Sequence, residues 1–396
     1  MKILVVNAGS SSYKLSIYEF LHNPLEESRD PLWSSSYNFN DSSPQDHIEN
    51  LKNLLHTATE NHSINSLSDI DIVGHRVVHG GTAFERPVFI TADVKKTITN
   101  LIPLAPLHNP ANLEGIDLLE KMLPNTPQVA VFDTAFHSTI PEKASTYAGP
   151  YSWKEEGIKR YGFHGISHEY CASRAALLLK FNIGRMKMVT CHLGNGCSLA
   201  AIDRGYCIDT TMGFTPLEGL MMGTRCGSID PGILLYLENQ KKQKASDLFH
   251  TLNFESGLKG ISGISSDMRD IMSSASKRDR RAKLALDMYI HSLRRNMGSM
   301  INVLGGIDTL VFTAGIGENS PKIRHEACQH LSYIGLELDN EKNNSPCHED
   351  SIISSTNSKI HVLVIHTKED WSIACSSWKL RGLRGRYPPR TPAKGS

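Results

Sequence analysis

The sequence predicts an α/β protein built from two domains on a repeated plan. Apolar, strand-like runs end three times in short polar segments rich in Gly or Ser, in Val5–Leu15, Lys187–Gly205 and Asp308–Ser320. A strand, a polar tip and a second strand recur in the two halves of the chain. At 396 residues the chain exceeds what one core usually encloses.

The elements follow in order. "KILVV" is a continuous apolar run, and in "YKLSIYEF" Tyr13, Leu15 and Ile17 alternate with polar residues, so both read as strands. The stretch between them has one Gly and three Ser before Lys14. It lacks the two glycines and following helix of a P-loop, so it reads as a hairpin tip. Residues 23–45, with Pro24, Pro31 and Pro44, read as a loop or insertion, and residues 47–60 have helical spacing. "IDIVGHRVVHGG" and "QVAVFDTAFH" read as buried strands, the second with Asp133 at its end. A helix is expected over 167–180 with Ser167 as its cap. "KMVTCHLGNGCSLAAIDRG" repeats the opening hairpin. "DTLVFTAGIGENS" predicts a strand, a Gly loop and a helix start, residues 337–359 a polar connection, and "IHVLVIHT" the last strand. The basic, Gly/Pro-rich segment 381–396 is expected to be disordered.

Composition narrows the function. The formal net charge of +1 supplies no field favouring nucleic acid or an anionic membrane. The eight cysteines form no C-x-x-C pair, so a zinc ribbon or dithiol site lacks its spacing. No apolar stretch approaches the roughly 20 residues of a membrane span, and the N-terminal run is too short for a signal peptide. A cytoplasmic protein with free thiols is expected.

Polar motifs follow apolar strands at Asn7–Ser12, Asp133, His192–Gly196 and Gly315–Asn319. Ligands of open α/β sheets bind beyond the carboxyl ends of strands. Each Gly segment alone is explained by a tight turn; together they point to a polyanion such as a nucleotide triphosphate. Arg76 lies in an apolar strand and Arg225 between glycines. Either Arg meets a phosphate or carboxylate of a ligand, or it forms a structural ion pair, for which Glu218 and Asp230 are candidates. His164 taken alone reads as a core histidine. Asp133 and Glu369 offer carboxylates of the kind that hold Mg²⁺, or else a turn cap and a solvated charge. "KRDRRAK" (277–283) reads as the solvated face of a helix.

These motifs, "NAGSSSYK", "GHRVVHGG", "VFDTAFH", "YGFHGISHEY", "HLGNGCS", "TPLEGLMMGTRCG" and "TAGIGENS", run from residue 1 to about 370. They resemble the acetate kinase family, within the acetate and sugar kinase, Hsp70 and actin superfamily. The resemblance implies two RNase H-like (actin-like ATPase) domains with the active site in the cleft between them. The first would comprise residues 1–136 with 371–380, the second 137–370. It also implies a homodimer and reversible transfer of the ATP γ-phosphoryl group to acetate, giving acetyl phosphate and ADP, with Mg²⁺ (or Mn²⁺). Close alternatives are a propionate or butyrate kinase; a distant one is an actin- or Hsp70-like ATPase.

Residue by residue, the resemblance assigns Asn7 and Glu369 to the metal and Lys14 to ATP. It assigns Arg76 to substrate binding, Asp133 to acid/base catalysis, and His164 with Arg225 to the transition state. The carboxylate of acetate is already ionised at neutral pH, with a pKa near that of Glu (about 4.3). Holding the metal or orienting an Arg is therefore the more physical role for Asp133. Nucleotide segments fall at His192, Leu193, Gly194, Asn195 and Gly196; at Asp267, Met268 and Arg269; and at Gly315, Ile316, Gly317, Glu318 and Asn319. Val78, Leu107, Phe163 and Pro216 match the acetate methyl pocket. The chain departs from the family's usual residues at Ser228, Lys368 and Asp370.

Overall fold

The computed structural model of the protein describes residues 1–8, 12–21, 29–38 and 44–384. The Ser-rich tip at 9–11, much of the polar segment and the tail from 385 lie outside the described residues. The chain divides into two compact units, Met1–Ala135 with Lys368–Ser396, and Phe136–Thr367.

The first unit is built on a six-stranded sheet of β1 (Lys2–Ala8), β2 (Ser12–Glu19), β3 (Trp33–Asn38), β4 (Ile70–Val77), β5 (Val88–Phe89) and β6 (Gln128–Phe132). Their order is β3-β2-β1-β4-β6-β5. The antiparallel pair β1–β2 sets Asn7 opposite Lys14, and the parallel neighbours β1, β4 and β6 bring their carboxyl ends together. β1 is buried along most of its length, which explains why it reads as a continuous apolar run. On one face Leu4, Val6, Leu15, Ile17 and Trp33 pack with Leu51, Leu55, Leu118 and Leu119 of the helices Pro44–Glu60 and Asn109–Met122.

The C-terminal helix Glu369–Arg384 packs on β1, β4 and β6. Trp371 is buried, stacked on Phe20 (ring centroids 4.9 Å apart) and edge-on to Tyr18 (5.5 Å). Gly74 lets the helix approach: a Cβ there would lie 2.5 Å from Ser377 Oγ and 2.8 Å from Ile373 Cγ2. The helix continues past the expected boundary at residue 380, and Arg381 Nη1 donates to the Asp71 carbonyl. Residues 381–384 are therefore ordered helix, contrary to the expected disorder.

The second unit repeats the connectivity with β7 (Lys187–Leu193), β8 (Cys197–Asp203), β9 (Tyr206–Thr210), β10 (Thr309–Thr313), β11 (Ser351–Ile352) and β12 (His361–Val364), ordered β11-β12-β10-β7-β8-β9. Each sheet is an antiparallel three-strand meander whose first strand continues into two parallel strands and an antiparallel edge strand. The duplicated hairpins are thus equivalent parts of equivalent sheets.

Three local expectations change. The helix expected from Ser167 begins at Gly165, with His164 at its N-cap in the left-handed region (φ 57°). The expected Gly loop after β10 is a helical turn, Ala314–Asn319, entered through a positive φ at Ala314 (64°). The polar connection contains the short helix Asn340–Asn344 and strand β11. "KRDRRAK" leads into the long helix Arg280–Leu304, which the Asp279 side chain caps by accepting from Ala282 N. Among the described residues no helix is long and apolar enough to cross a membrane.

Trp371 fastens the C-terminal helix to the sheet. Trp371→Ala should destabilise the protein by about 3–5 kcal/mol, the usual cost of emptying a large aromatic site. Denaturant unfolding followed by circular dichroism measures it.

Candidate active site

The first unit gathers one charge cluster at the carboxyl ends of its strands. Arg76 extends from β4 and Asp133 follows β6. Asp133 accepts from Arg76 Nε (3.1 Å to each oxygen) and from Nη2 (2.6 Å to Oδ2). The Asp133 side chain is 1% exposed and that of Arg76 19%. Arg76 Nη1 faces Asn7 Oδ1 at 3.5 Å and Glu369 Oε2 at 3.6 Å. Burial alone would weaken the guanidinium's hold on its proton. Asp133, Glu369 and Asp370 reverse the sign and hold its pKa above the ordinary value. Glu369 is therefore no solvated surface charge. Lys14 lies on Asp370 Oδ2 at 2.9 Å, and Ser16 Oγ donates to the same oxygen at 3.0 Å. Asp370 is what anchors Lys14.

The second unit gathers imidazoles. His164 stacks on His192, ring centroids 4.1 Å apart and planes 20° from parallel. His164 Nδ1 meets Ser198 Oγ at 2.9 Å, and the same oxygen meets His168 Nε2 at 2.8 Å. His192 Nδ1 meets Ser167 Oγ at 2.8 Å, so the expected cap residue holds a neighbouring ring instead. A Cβ on Gly196 would lie 3.4 Å from His164 Nε2 and 3.5 Å from Arg225 Nη1, which places Gly196, His164 and Arg225 around one point. Arg225 Nη1 donates to the Pro216 carbonyl at 3.3 Å. Among the described residues no carboxylate pairs with Arg225. Glu218 takes Arg160 (2.8 Å) and Tyr147, and Asp230 caps the helix Pro231–Lys241. Burial lowers the pKa of Arg225, as expected for a guanidinium without an acid beside it.

The remaining predicted residues divide. Leu193 is buried in β7, and Gly194 N bonds Gly196 O across the tip at 3.0 Å. Asn195 packs on Gly223, where a Cβ would sit 2.0 Å from Asn195 Oδ1. Asp267 caps the helix Met268–Ser276 and pairs with exposed Arg269 at 2.5 Å; those bonds draw its pKa down to about 2. Met268 is buried. Gly315, Ile316 and Gly317 lie in the turn after β10. Glu318 faces inward, accepting from Ala314 N (2.8 Å) and Thr367 N (3.1 Å), and Asn319 Nδ2 donates to Gly315 O at 3.0 Å. Val78 and Phe163 are buried and Leu107 is half-buried. Val78 and Leu107 belong to the first unit, Phe163 and Pro216 to the second.

Supporting residues went unread in the sequence. Fully buried Arg324 donates to Gly317 O, Glu318 O and Asn343, and so holds the turn after β10. Asn112 bridges Val78 N and Ala8 O, tying the ends of β4 and β1. Ser228 holds Gly219 by accepting from its N–H at 3.1 Å.

Comparison with known proteins shows the family. The sequence model of the Acetokinase family matches residues 2–375. The chain belongs to the acetokinase family. An acetate kinase of Rippkaea orientalis is 53% identical over 407 residues, covering 96% of this chain and 99% of that protein. The crystal structure of Porphyromonas gingivalis acetate kinase superposes with a TM-score of 0.87 at 37% identity, covering 96% of this chain and 99% of the other. That of a propionate kinase from Francisella tularensis gives 0.85 at 38%, with the same coverage. As an acetokinase the chain is a kinase, a phosphotransferase that uses ATP and ADP.

The buried imidazoles give the acetokinase chain a definite pH response. Burial drives His75 and His137 down to about 4 and His168 well below its ordinary value. The unfolded chain protonates these rings as pH falls through about 6.5, while the folded chain resists. Their stabilising effect is full above about pH 6.5 and is lost as pH falls toward about 4, by up to about 1.4 kcal/mol per pH unit for each ring. His137→Gln should flatten that dependence by one ring's share, as read from urea unfolding between about pH 7 and about pH 5.

Proposed function

We propose that this acetokinase transfers the γ-phosphoryl group of ATP to acetate, reversibly, giving acetyl phosphate and ADP. One observation carries the reading. Arg225 and His164 converge beside Gly196, and Arg225 has no acidic partner among the described residues. A guanidinium kept without an acid suits an anion that arrives with the substrate. Charge on the three oxygens of a transferring phosphoryl group is such an anion.

The residues then divide the work. Acetate needs no proton removed. Asp133, with both oxygens on Arg76, orients that guanidinium and leaves Nη1 toward the ligand. Arg76 holds the acceptor carboxylate or its phosphorylated form. The turns at His192–Gly196 and Gly315–Asn319, with the cap at Asp267, hold the nucleotide. Val78, Leu107, Phe163 and Pro216 bound the methyl group. Arg225→Ala should lower kcat by about 10²–10³ with a smaller effect on the KM for ATP. A hydroxamate assay for acyl phosphate measures it. In the same assay acetate should lead propionate by the usual value of one methylene, about 1–3 kcal/mol. A preference for propionate would favour the alternative that the Francisella protein's name suggests, and one for butyrate a butyrate kinase.

The cluster in the first unit fits Mg²⁺. Two cations, Arg76 and Lys14, stand against the carboxylates of Asp133, Glu369 and Asp370, leaving a negative balance. Asn7 and Glu369 supply oxygen donors near one Arg76 nitrogen, a hard donor set suited to Mg²⁺ or Mn²⁺. Among the described residues no group of three or more His, Cys, Asp or Glu forms a metal cage, so the ion would complete its coordination on phosphate oxygens and water. Bound there, it neutralises phosphate charge. EDTA should abolish turnover while leaving the circular dichroism spectrum unchanged.

Two further proposals complete the reading. The eight free thiols support a reducing, cytoplasmic setting. The helix Pro231–Lys241 buries none of its residues and exposes Ile233, Leu235 and Tyr236, and the helix Ala245–Phe254 exposes Phe249 and Phe254. This apolar face supports a homodimer. Light scattering should give twice the chain mass, reduced toward the monomer by Leu235→Glu.

A further inference from the structure

His164 can help a phosphoryl group only if the nitrogen facing it carries a proton. A neutral imidazole holds its proton on Nδ1 or on Nε2, and the partner of one nitrogen decides the other. In this protein the deciding partners lie away from the proposed phosphoryl position, in a buried row running from β7 through the helix Gly165–Leu179 to β8.

The row has four members. Thr190 Oγ1 meets His168 Nδ1 at 2.6 Å, His168 Nε2 meets Ser198 Oγ at 2.8 Å, and Ser198 Oγ meets His164 Nδ1 at 2.9 Å. Thr190, His168 and Ser198 have no exposed surface. Distances alone allow the protons to point either way along the row. Thr190 removes the ambiguity. Its hydroxyl has one hydrogen-bond partner among the described residues, His168 Nδ1. If His168 donated to it, the Thr190 proton would be buried without an acceptor, at a cost that folded proteins avoid.

Thr190 therefore donates to His168 Nδ1. His168, neutral in its enclosed site, carries its proton on Nε2 and donates it to Ser198. The Ser198 hydroxyl, having accepted, donates to His164 Nδ1. The His164 proton is left on Nε2, which would lie 3.4 Å from a Cβ on Gly196, the same point that Arg225 Nη1 approaches to 3.5 Å. Stacking on His192 holds the plane of the ring.

We infer that Thr190, His168 and Ser198 form a one-directional hydrogen-bond chain that fixes His164 as its Nε2–H tautomer, so that a neutral donor is aimed at the transferring phosphoryl group. The three are positioning residues, and their assigned purpose rests on the proposed role of His164. The inference explains why a serine stands opposite His192 in the β7–β8 pair and why a threonine occupies the interior of β7.

The chain can be tested apart from the reaction. Protein labelled with ¹⁵N-histidine is examined by long-range ¹H–¹⁵N NMR, with the His164 ring assigned by its loss in His164→Gln. The expected spectrum has a bare Nδ1 and a protonated Nε2. Thr190→Val, which removes the hydroxyl at nearly constant shape, and Ser198→Ala should each mix the tautomers. Each should lower kcat by about 3- to 10-fold, the scale of one lost hydrogen bond, with KM for ATP and acetate unchanged. Thr190→Ser should restore both tautomer and rate. A wild-type His164 protonated on Nδ1 overturns the chain, as does an unaltered tautomer in both Thr190→Val and Ser198→Ala. If the tautomer shifts while kcat holds in those variants and in His164→Gln, the chain stands and the phosphoryl role of His164 falls.

Discussion

The first unit depends on the grip of Asp133 on Arg76. Both carboxylate oxygens face the guanidinium fork, and almost no water reaches the acid. A buried pair of this kind contributes modest net stability, yet removing one partner strands a charge at a cost of about 3–5 kcal/mol. Its value here is geometric. Arg76 lies on β4, Asp133 follows β6, Asn7 ends β1 and Glu369 opens the C-terminal helix, so four distant segments meet on one guanidinium. The parallel alignment of β1, β4 and β6 makes the meeting possible, because it places their carboxyl ends side by side.

The second unit solves its positioning problem with neutral groups. Hydroxyls and imidazoles replace ion pairs, and burial keeps His137 and His168 uncharged. Arg225 is left as a cation with a carbonyl for company. An acid beside it would compete with any anionic ligand, so the proposed role of Arg225 calls for the partner it has, a carbonyl and not a carboxylate. Glu218, one of the two candidates in the sequence, is diverted to Arg160 and Tyr147.

Local patterns were readable in the sequence wherever a strand's own residues decide its state. The two hairpins, the buried strands around Arg76 and before Asp133, and the duplicated plan all follow from alternation, apolar runs and Gly placement. Pairings across the fold were hidden. That Arg76 faces Asp133 depends on β4 and β6 being neighbours, and that Asp370 takes Lys14 depends on a helix more than 350 residues away docking beside β2. The start of the helix at Gly165 was misplaced because His164 adopts a left-handed conformation that propensity does not favour. The turn after β10 misled for the same reason at Ala314, where the Glu318 carboxylate accepts the backbone N–H. Thr190, His168 and Ser198 carry no local signal, since each is an ordinary residue of a strand or helix until the others are set against it.

The docking of Glu369–Arg384 on the first sheet has a consequence for biosynthesis. The sheet of the first unit leaves the ribosome before the second unit, and the helix that closes it leaves after. Its closing helix emerges only after Phe136–Thr367 has been made. At ordinary elongation rates of about 5–20 residues per second, that interval lasts on the order of 10–50 s. Throughout it Tyr18, Phe20 and the bare face at Gly74 wait without Trp371 and Ser377 to cover them. The second unit, continuous in sequence, has all of its own residues before the first unit receives its closing helix.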